Sequence, residues 1–303
     1  MPLAGEWQPQ RAFFGDGYPS PRYHAAVWST GHAHSLAVPT CPSMIGENMK
    51  IGDIAAMIAG GASGLGEATA RRLIAAGARC VVLDRDEQAL KRLAAELGVN
   101  FIPVVGDIMV EDDVLSALRA AGDRPMRLAV ICAFTGSLLP VIGLDGVASD
   151  LSDFRRVVEV NLIGSFNVMR LAAQEIAKQT PLADGERGLI IQTSSIAGLD
   201  GPAPQIAYNA SKGGVAAMTL SATRDLAPHG IRVMTIAPGM FGTPVVMALP
   251  PEHRDSIAAL ATFPKRLGIP DEYACLVTFM AECIYLNGEV VRIDGGARLS
   301  YGG

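Results

Sequence analysis

The chain has 303 residues, half of them apolar and 18% charged, with a net charge of -5. This length is enough for one large core, and no Lys/Arg-rich run points to nucleic acid or an anionic membrane surface as a partner. No apolar stretch reaches the roughly 18 to 20 residues that a membrane helix needs. The five cysteines are scattered, which favours apolar packing over a metal site. The same pattern favours a reduced, cytoplasmic protein.

Residues 1–48 differ in composition from the rest and show neither helical nor alternating periodicity. A secretory signal or a mitochondrial transit peptide does not fit, because no apolar region follows a basic start and basic residues are few. The His-x-His at His32 could bind a metal, but a loose polar tail is the preferred interpretation. We expect a poorly ordered N-terminal extension, or translated sequence ahead of a start at Met44 or Met49. One catalytic domain is expected over residues 49–303.

From residue 50 onward, short apolar runs alternate with helical patterns. The predicted strands are 54–58, 80–83, 101–105, 128–133, 188–192, 231–236 and 290–293. The predicted helices are 67–76, 86–97, 111–121, 154–178, 208–226 and 271–282. Short, wholly apolar strands that alternate with helices are typical of a parallel sheet covered on both faces. The sequence therefore predicts a single α/β domain.

The turn after the first predicted strand is rich in glycine, with Gly60, Gly64 and Gly66. Glycines at this place permit a tight turn and let the backbone approach a pyrophosphate closely. The N-terminus of the following helix then supplies free N–H groups and the positive end of its dipole. The pattern predicts a dinucleotide site, to which Ser63 and Leu65 of the same turn would also contribute.

Two acidic residues follow the next predicted strands. Asp84 is placed to accept hydrogen bonds from the adenosine ribose, and its charge would repel a 2′-phosphate, so NAD is favoured over NADP. The alternative is an acid that caps the next helix, and the neighbouring Arg85 leaves room for NADP. Asp107, with Ile108 beside it, is placed to meet the adenine. The alternative for Asp107 is the N-cap of the helix that begins near Val110.

Tyr208 and Lys212 open a long apolar helix. Residues four apart lie on the same face of a helix, so the ammonium can sit near the phenol. A phenol has an ordinary pKa of about 10 and is a poor base at neutral pH. A nearby cation lowers that pKa and makes the tyrosine a usable acid/base. The alternative is a helix N-terminus with a solvated lysine.

Two polar residues elsewhere could complete this chemistry. Ser195 follows the strand 188–192, at the edge where open α/β sheets bind ligands, and its hydroxyl could donate to a substrate carbonyl. Its neighbours Thr193 and Ser194 could be mistaken for it. Asn161 lies among apolar residues in the predicted helix 154–178 and needs a partner. It is either a satisfied buried amide or the holder of a water that links Lys212 to solvent.

Pro238 and Gly239, after the sixth predicted strand, lie where a nicotinamide could be held. The ordered set over about 250 residues is Gly60, Gly64, Gly66, Asp84, Asn161, Ser195, Tyr208, Lys212, Pro238 and Gly239. With this set the chain resembles the short-chain dehydrogenase/reductase family. The resemblance implies a Rossmann fold with a seven-stranded parallel sheet, helices on both faces and a homotetramer. It also implies that Tyr208 is the acid/base, that Lys212 lowers its pKa and holds the ribose, that Ser195 orients the substrate, and that Asn161 supports a proton relay.

Residues 225–244, 263–268 and 286–295 resemble the hydroxyacyl-CoA branch of that family. This branch oxidises short 3-hydroxyacyl-CoA thioesters with NAD and tolerates other alcohols, including steroids. The resemblance implies a substrate loop at 241–267, with Phe241 and Thr243 near the cofactor and Phe241 and Gln205 near the substrate. An ordinary surface helix and turn is the alternative for this loop. The rival functions are action on a 3-oxoacyl-carrier protein or a hydroxysteroid, and nucleotide binding without catalysis.

The segment after the fourth strand departs from the family pattern. The family's Asn-Asn-Ala-Gly or Asn-Cys-Ala-Gly is here Ile131-Cys132-Ala133-Phe134, in which Cys132 and Ala133 keep cofactor-binding positions. Loss of the Asn removes a polar group that ties neighbouring strands together. Phe134 puts a ring where the backbone passes close to the cofactor, and Ala59 replaces a Thr. We expect weaker NAD binding or a reshaped pocket, with the Ser, Tyr, Lys and catalytic Asn untouched.

Overall fold

The computed structural model describes residues 49–299, and the predicted N-terminal extension, with His32, lies outside the described residues. The strands are β1 Ala55–Ala59, β2 Arg79–Asp84, β3 Phe101–Val105, β4 Met126–Ile131, β5 Gly188–Thr193, β6 Ile231–Pro238 and β7 Val290–Ile293. The helices are α1 Gly64–Ala75, α2 Glu87–Leu97, α3 Glu111–Arg119, α4 Leu151–Val158, α5 Gly164–Ile176, α6 Ala197–Asp200, α7 Ile206–Leu226, α8 Pro244–Met247, α9 Pro251–Ala259 and α10 Pro270–Glu282.

The seven strands form one sheet in the order β3-β2-β1-β4-β5-β6-β7, and every pair is parallel. The strand order reverses beside β1, which is where open α/β sheets bind ligands. Ala59 pairs with both Leu83 and Ile131, and Ile131 pairs with Gln192. The residues that follow these four positions therefore lie side by side at the carboxyl edge. The predicted α/β class, a Rossmann fold with a seven-stranded parallel sheet, is confirmed.

The core has two layers, one on each face of the sheet. Alternate residues of a strand point to opposite faces, so Ile58 packs into one layer and Met57 into the other. Every residue of β1, β4, β5 and β6 is buried. Strands that are buried on both faces lack a solvent-facing polar side, which explains why they appear in the sequence as largely apolar runs.

Some helix boundaries differ from those predicted. Helix α1 begins at Gly64 rather than residue 67, and Gly66 in its first turn packs tightly on the backbone of Gly60. The single helix predicted over 154–178 is α4 and α5 joined by a π-helical turn, Glu159–Ile163. Strand β6 extends two residues further than predicted and ends on Pro238. No described helix is both long and apolar enough to cross a membrane.

Candidate active site

The glycine turn after β1 has no room for side chains. A Cβ on Gly60 would lie 2.4 Å from the backbone nitrogen of Ala133, and one on Gly66 would lie 2.2 Å from the carbonyl oxygen of Gly60. Gly60 also has a positive φ of 76°, which favours glycine. Ser63 occupies the N-cap position of α1 without capping through its side chain, and Leu65 lies in the first turn. This bare backbone at a helix N-terminus fits a dinucleotide pyrophosphate.

Asp84 lies directly beside the glycine turn. Its Oδ2 accepts a hydrogen bond from the Ala62 N–H at 2.9 Å, and its Oδ1 accepts one from the Asp86 N–H at 3.1 Å. The N-cap of α2 is Asp86, whose Oδ1 accepts from the Ala89 N–H at 2.9 Å. The alternative interpretation of Asp84 as the helix cap is therefore wrong. The side chain is half-buried at the end of β2, where the ribose of a dinucleotide would lie.

Asp107 does not cap α3 either, because the N-cap residue is Val110. One Asp107 oxygen accepts from the Met109 N–H at 2.9 Å, and the other lies 3.6 Å from the Arg85 guanidinium. Ile108 is buried and packs on α5. The alternative that Asp107 caps α3 is therefore wrong. The ion pair occupies Arg85, the residue that had left NADP possible.

Of the three neighbouring hydroxyls at the end of β5, only that of Ser195 is open to the cleft. Thr193 and Ser194 are buried, and Ser194 Oγ donates to the backbone oxygen of Lys212 at 2.7 Å. Ser195 is half-buried and its Oγ accepts from the Ala197 N–H at 3.1 Å, and its hydroxyl is close enough to the Tyr208 phenol to lower the pKa of that phenol. The structure therefore brings Ser195 and Tyr208 together as predicted, although they lie on different elements.

Lys212 lies on the same face of α7 as Tyr208, but it is not the solvated lysine of the alternative interpretation. Its side chain is 2% exposed, and Nζ donates to the backbone oxygen of Thr193 at 2.8 Å. Burial lowers the pKa of Lys212 to about 8. Nζ lies 5.9 Å from the centre of the Tyr208 ring.

The pKa of Tyr208 moves in the opposite direction to the one expected. Burial raises the pKa of Tyr208, and the nearby Ser195 hydroxyl only partly opposes this. The sequence predicts instead that Lys212 lowers the pKa of Tyr208. That ammonium instead donates to the Thr193 carbonyl, which holds it below the tyrosine ring and not at the phenolic oxygen.

Asn161 lies in the π-helical turn and is fully buried. Its Oδ1 accepts from the Thr135 N–H at 2.7 Å, and its Nδ2 donates to the Thr135 oxygen at 2.9 Å and to Ser211 Oγ at 3.0 Å. The side chain is therefore a satisfied buried amide, and its part in a water-linked proton relay stays a prediction. The side chain joins the segment after β4 to α7 next to Lys212, and π turns of this kind occur frequently at functional sites.

The Ile131-to-Phe134 departure leaves the backbone in place. The N–H groups of Cys132 and Ala133 both donate to the Ala59 oxygen, at 2.8 and 2.9 Å, so the segment stays against the glycine turn. The ring of Phe134 is half exposed and meets the Tyr208 ring edge-on, with the ring centres 6.4 Å apart. The change to Phe therefore adds an apolar cover on the outer side of the Tyr208–Lys212 pair.

The end of β6 closes the other side of the cleft. The Pro238 oxygen accepts from the Ile196 N–H at 3.1 Å, and the Gly239 N–H donates to the Ile293 oxygen at 2.9 Å. Both residues predicted to hold a nicotinamide thus lie at the sheet edge, beside the residue that follows Ser195.

The segment after β6 folds back over the glycine turn. A Cβ on Gly64 would lie 3.2 Å from Thr243 Cγ2, so Thr243 lies against the predicted pyrophosphate site. Phe241 is buried against Gly268 and lines a cavity with Ile257 and Leu260 of the predicted substrate loop. Two short helices, α8 and α9, occupy the middle of the predicted substrate loop.

Of the residues that surround Tyr208, sequence reasoning predicted Gln205 near the substrate but missed Leu139 and Tyr273. Gln205, at the N-cap of α7, forms a parallel bridge with Leu139 of the segment after β4. Leu139 is buried in a small apolar cluster with Val157, against which Tyr208 packs. Tyr273 of α10 is fully buried below the same site. Its only signal in the sequence is a tyrosine within the predicted helix 271–282.

Residues 54–254 match the protein family described as short chain dehydrogenase. The chain belongs to this family. It is therefore an oxidoreductase, and the fit of the glycine turn and Asp84 to a nicotinamide dinucleotide agrees with that membership.

Relatives that are 43–47% identical to this short-chain dehydrogenase share one name, whereas relatives at 32–34% identity act on other alcohols by their names. The chain is 47% identical over 249 residues to the 3-hydroxyacyl-CoA dehydrogenase type-2 of Bos taurus, which covers 81% of this chain and 95% of the bovine protein. The Homo sapiens protein of the same name gives the same identity and coverage. A crystal structure of the Mycobacterium avium 3-hydroxyacyl-CoA dehydrogenase type-2 superposes with a TM-score of 0.80 at 42% identity, over 82% of this chain and 97% of that one.

Proposed function

We propose that this short-chain dehydrogenase interconverts a 3-hydroxyacyl-CoA and the corresponding 3-oxoacyl-CoA with NAD. The observation that carries the proposal is the meeting of Ser195, Tyr208 and Lys212 at the sheet edge, where Lys212 Nζ is bound to the Thr193 carbonyl, two residues before Ser195, and lies 5.9 Å from the centre of the Tyr208 ring. This arrangement places two hydroxyls where both can meet one substrate oxygen. The name shared by the similar relatives supports a 3-hydroxyacyl-CoA as the substrate.

Each residue has a distinct task in this reaction. A bound nicotinamide would supply or accept the hydride at the substrate C3 carbon. Tyr208 exchanges a proton with the oxygen on that carbon, and Ser195 donates a hydrogen bond to the same oxygen. Lys212 keeps a positive charge beneath the tyrosine and holds the ribose. Asn161 fixes the segment after β4 against α7 and supports the proton relay.

Asp84 supports NAD over NADP as the cofactor. Its carboxylate lies at the end of β2 against the glycine turn, and a 2′-phosphate placed there would meet a negative charge. The Arg85 guanidinium, the nearest cation in sequence, is paired with Asp107. The charges beside the ribose position therefore favour a free 2′-hydroxyl.

We also propose a cytoplasmic homotetramer. The apolar side chains Phe166 of α5 and Leu220 of α7 are half exposed, and Phe166 lines a cavity together with Met169 and Met218. Exposed apolar surface of this kind is typical of a subunit interface. Light scattering after size-exclusion chromatography should give four times the 31.7 kDa chain mass, and a monomer would contradict the proposed tetramer. Cell fractionation tests the proposed cytoplasmic location.

The deciding experiment is the initial rate of NADH oxidation with acetoacetyl-CoA, repeated with NADPH. We expect fast turnover with NADH and little with NADPH. The substitution Tyr208→Phe should abolish turnover and leave NADH binding intact, since it removes only the hydroxyl that exchanges the proton. The exposed Tyr285 supplies a matched control, because Tyr285→Phe should change neither property. Turnover retained in Tyr208→Phe would defeat the assignment of the acid/base.

A further inference from the structure

The position of the Lys212 ammonium depends on one backbone carbonyl. Nζ is buried and donates to the Thr193 oxygen at 2.8 Å, at the last residue of β5. An ammonium carries three donors on a flexible stem and has no preferred orientation of its own. The place of the Thr193 carbonyl therefore sets where the charge lies beneath Tyr208.

Thr193 is itself held through its side chain from the opposite direction. Its Oγ1 lies 2.7 Å from the Tyr273 phenolic oxygen and donates to Cys132 Sγ at 3.6 Å. The Tyr273 oxygen and Cys132 Sγ are 3.7 Å apart, so the three groups form a closed buried triangle. Tyr273 belongs to α10, far along the chain from both partners.

The phenol of Tyr273 is not needed to fill space. The residue is fully buried, and a phenylalanine would pack the same ring volume without burying a polar oxygen. Burying a hydroxyl is unfavourable unless it is hydrogen-bonded, whereas a fully satisfied buried network makes its members rigid. The role of the Tyr273 oxygen is therefore to hydrogen-bond the Thr193 side chain and fix its position.

The triangle also replaces a tie that the family pattern has and this chain lacks. The family's Asn, a polar group that ties neighbouring strands, is here Ile131. Ile131 pairs with Gln192, so the next residues, Cys132 and Thr193, are neighbours at the ends of β4 and β5. The hydrogen bonds of Thr193 and Tyr273 join these two strand ends to each other and to α10.

We propose that Tyr273 is a positioning residue of the active site, which fixes the Thr193 carbonyl and through it the Lys212 ammonium beneath Tyr208. The proposal rests on the role given to Lys212 in the proposed function. Two titratable groups face the ammonium, the Cys132 thiol from β4 and the Tyr208 phenol from its own helix. The Tyr273 phenol acts on it only through Thr193.

The test compares variants that differ by one hydroxyl. Tyr273→Phe and Thr193→Val each break the triangle, whereas Thr193→Ser keeps the hydroxyl and should behave as the unaltered protein. The exposed Tyr285→Phe is the matched control for the first change. One measurement is the pH dependence of NADH affinity by fluorescence, which follows the charge of Lys212. The other is kcat and KM with acetoacetyl-CoA.

We expect Tyr273→Phe and Thr193→Val to lower kcat about tenfold, since misplacement of a catalytic group is costly. The midpoint of the pH dependence should rise by about half a unit as the ammonium becomes better solvated. The double variant should be no worse than either single one, because both break the same link. Thr193→Val and Thr193→Ser keep the test decisive if Tyr273→Phe folds poorly.

A lower melting temperature with an unchanged pH midpoint and kcat would overturn the proposal and leave Tyr273 a purely structural residue. The NADH titration does not depend on the acyl substrate. If the unaltered protein fails to turn over acetoacetyl-CoA, the proposed function fails, and the shift in the pH midpoint still decides the role of Tyr273.

Discussion

The ring of Phe134 lies over the Lys212 ammonium, with Nζ 5.6 Å from the ring centre. An ammonium within about 6 Å of an aromatic face is attracted to it. The same ring meets Tyr208 edge-on, at a position where the family pattern has glycine. Phe134 thus covers the Tyr208–Lys212 pair from its outer side.

Removing this ring should improve cofactor binding. We expect Phe134→Ala to bind NADH about two- to fivefold more tightly, because the cation–π contact no longer has to be given up. Fluorescence titration measures the affinity. The exposed Val99 lies far from the site, and Val99→Ala should have no effect. An unchanged NADH affinity in Phe134→Ala would show that losing the cation–π contact does not oppose cofactor binding.

The cofactor preference should respond to the charge of Asp84. Asp84→Asn keeps an oxygen that can accept from the Ala62 N–H but removes the repulsion of a 2′-phosphate. The ratio of kcat/KM with NADPH to that with NADH should rise on the order of tenfold. Asp86→Asn, which alters the cap of α2, serves as the control. An equal rise of this ratio in Asp84→Asn and Asp86→Asn would show that the charge of Asp84 does not determine the preference for NADH.

NADH affinity should fall as the pH rises through about 8, where burial has placed the pKa of Lys212. Below that pH the ammonium is charged and can donate to the ribose, and above it the charge is lost. Burial raises the pKa of Tyr208 and the pKa of Cys132, so neither neighbour ionises in this range. The transition, followed by NADH fluorescence, should disappear in Lys212→Met. Its persistence there would assign it to another group.

The buried ion pair of Glu186 and Arg232 should matter most for stability. The charged groups are 2.8 Å apart and both side chains are buried, and Arg232 also donates to carbonyls at the end of α10. Glu186→Ala leaves a buried charge unpaired and should lower the free energy of unfolding by about 3–5 kcal/mol. The exposed pair of Glu87 and Lys91 gives the control, since Glu87→Ala should cost less than about 1 kcal/mol. Equal losses in denaturant unfolding would contradict this account.

The sheet and the position of the catalytic groups could be predicted because their signals are local. Buried parallel strands appear as short apolar runs, and Asp84, Ser195 and Tyr208 each occupy a fixed place relative to a strand or helix end. Pairs on one helix face, such as Tyr208 and Lys212, follow from the helical repeat alone. None of these inferences needs knowledge of a distant contact.

The direction of the Tyr208 pKa shift, the π turn at Asn161 and the part played by Tyr273 could not be read in this way. Each depends on contacts between residues far apart in sequence, such as the Thr193–Tyr273 hydrogen bond. The expected effect of Lys212 on Tyr208 considered only the helix that they share. It omitted the carbonyl of β5 to which the ammonium is bound and the burial that the fold imposes on the phenol.

The bridge between Leu139 and Gln205 joins two sides of the cleft beside Tyr208, and the Ile206 N–H adds a hydrogen bond to the Leu139 oxygen at 3.3 Å. These two walls are therefore tied together and should move as one body. On the facing side, α8 and α9 bury none of their residues, and segments with few buried contacts open most easily. We expect substrate to enter and product to leave past α8 and α9, so that the opening of this flank limits the overall rate once the chemical step is fast.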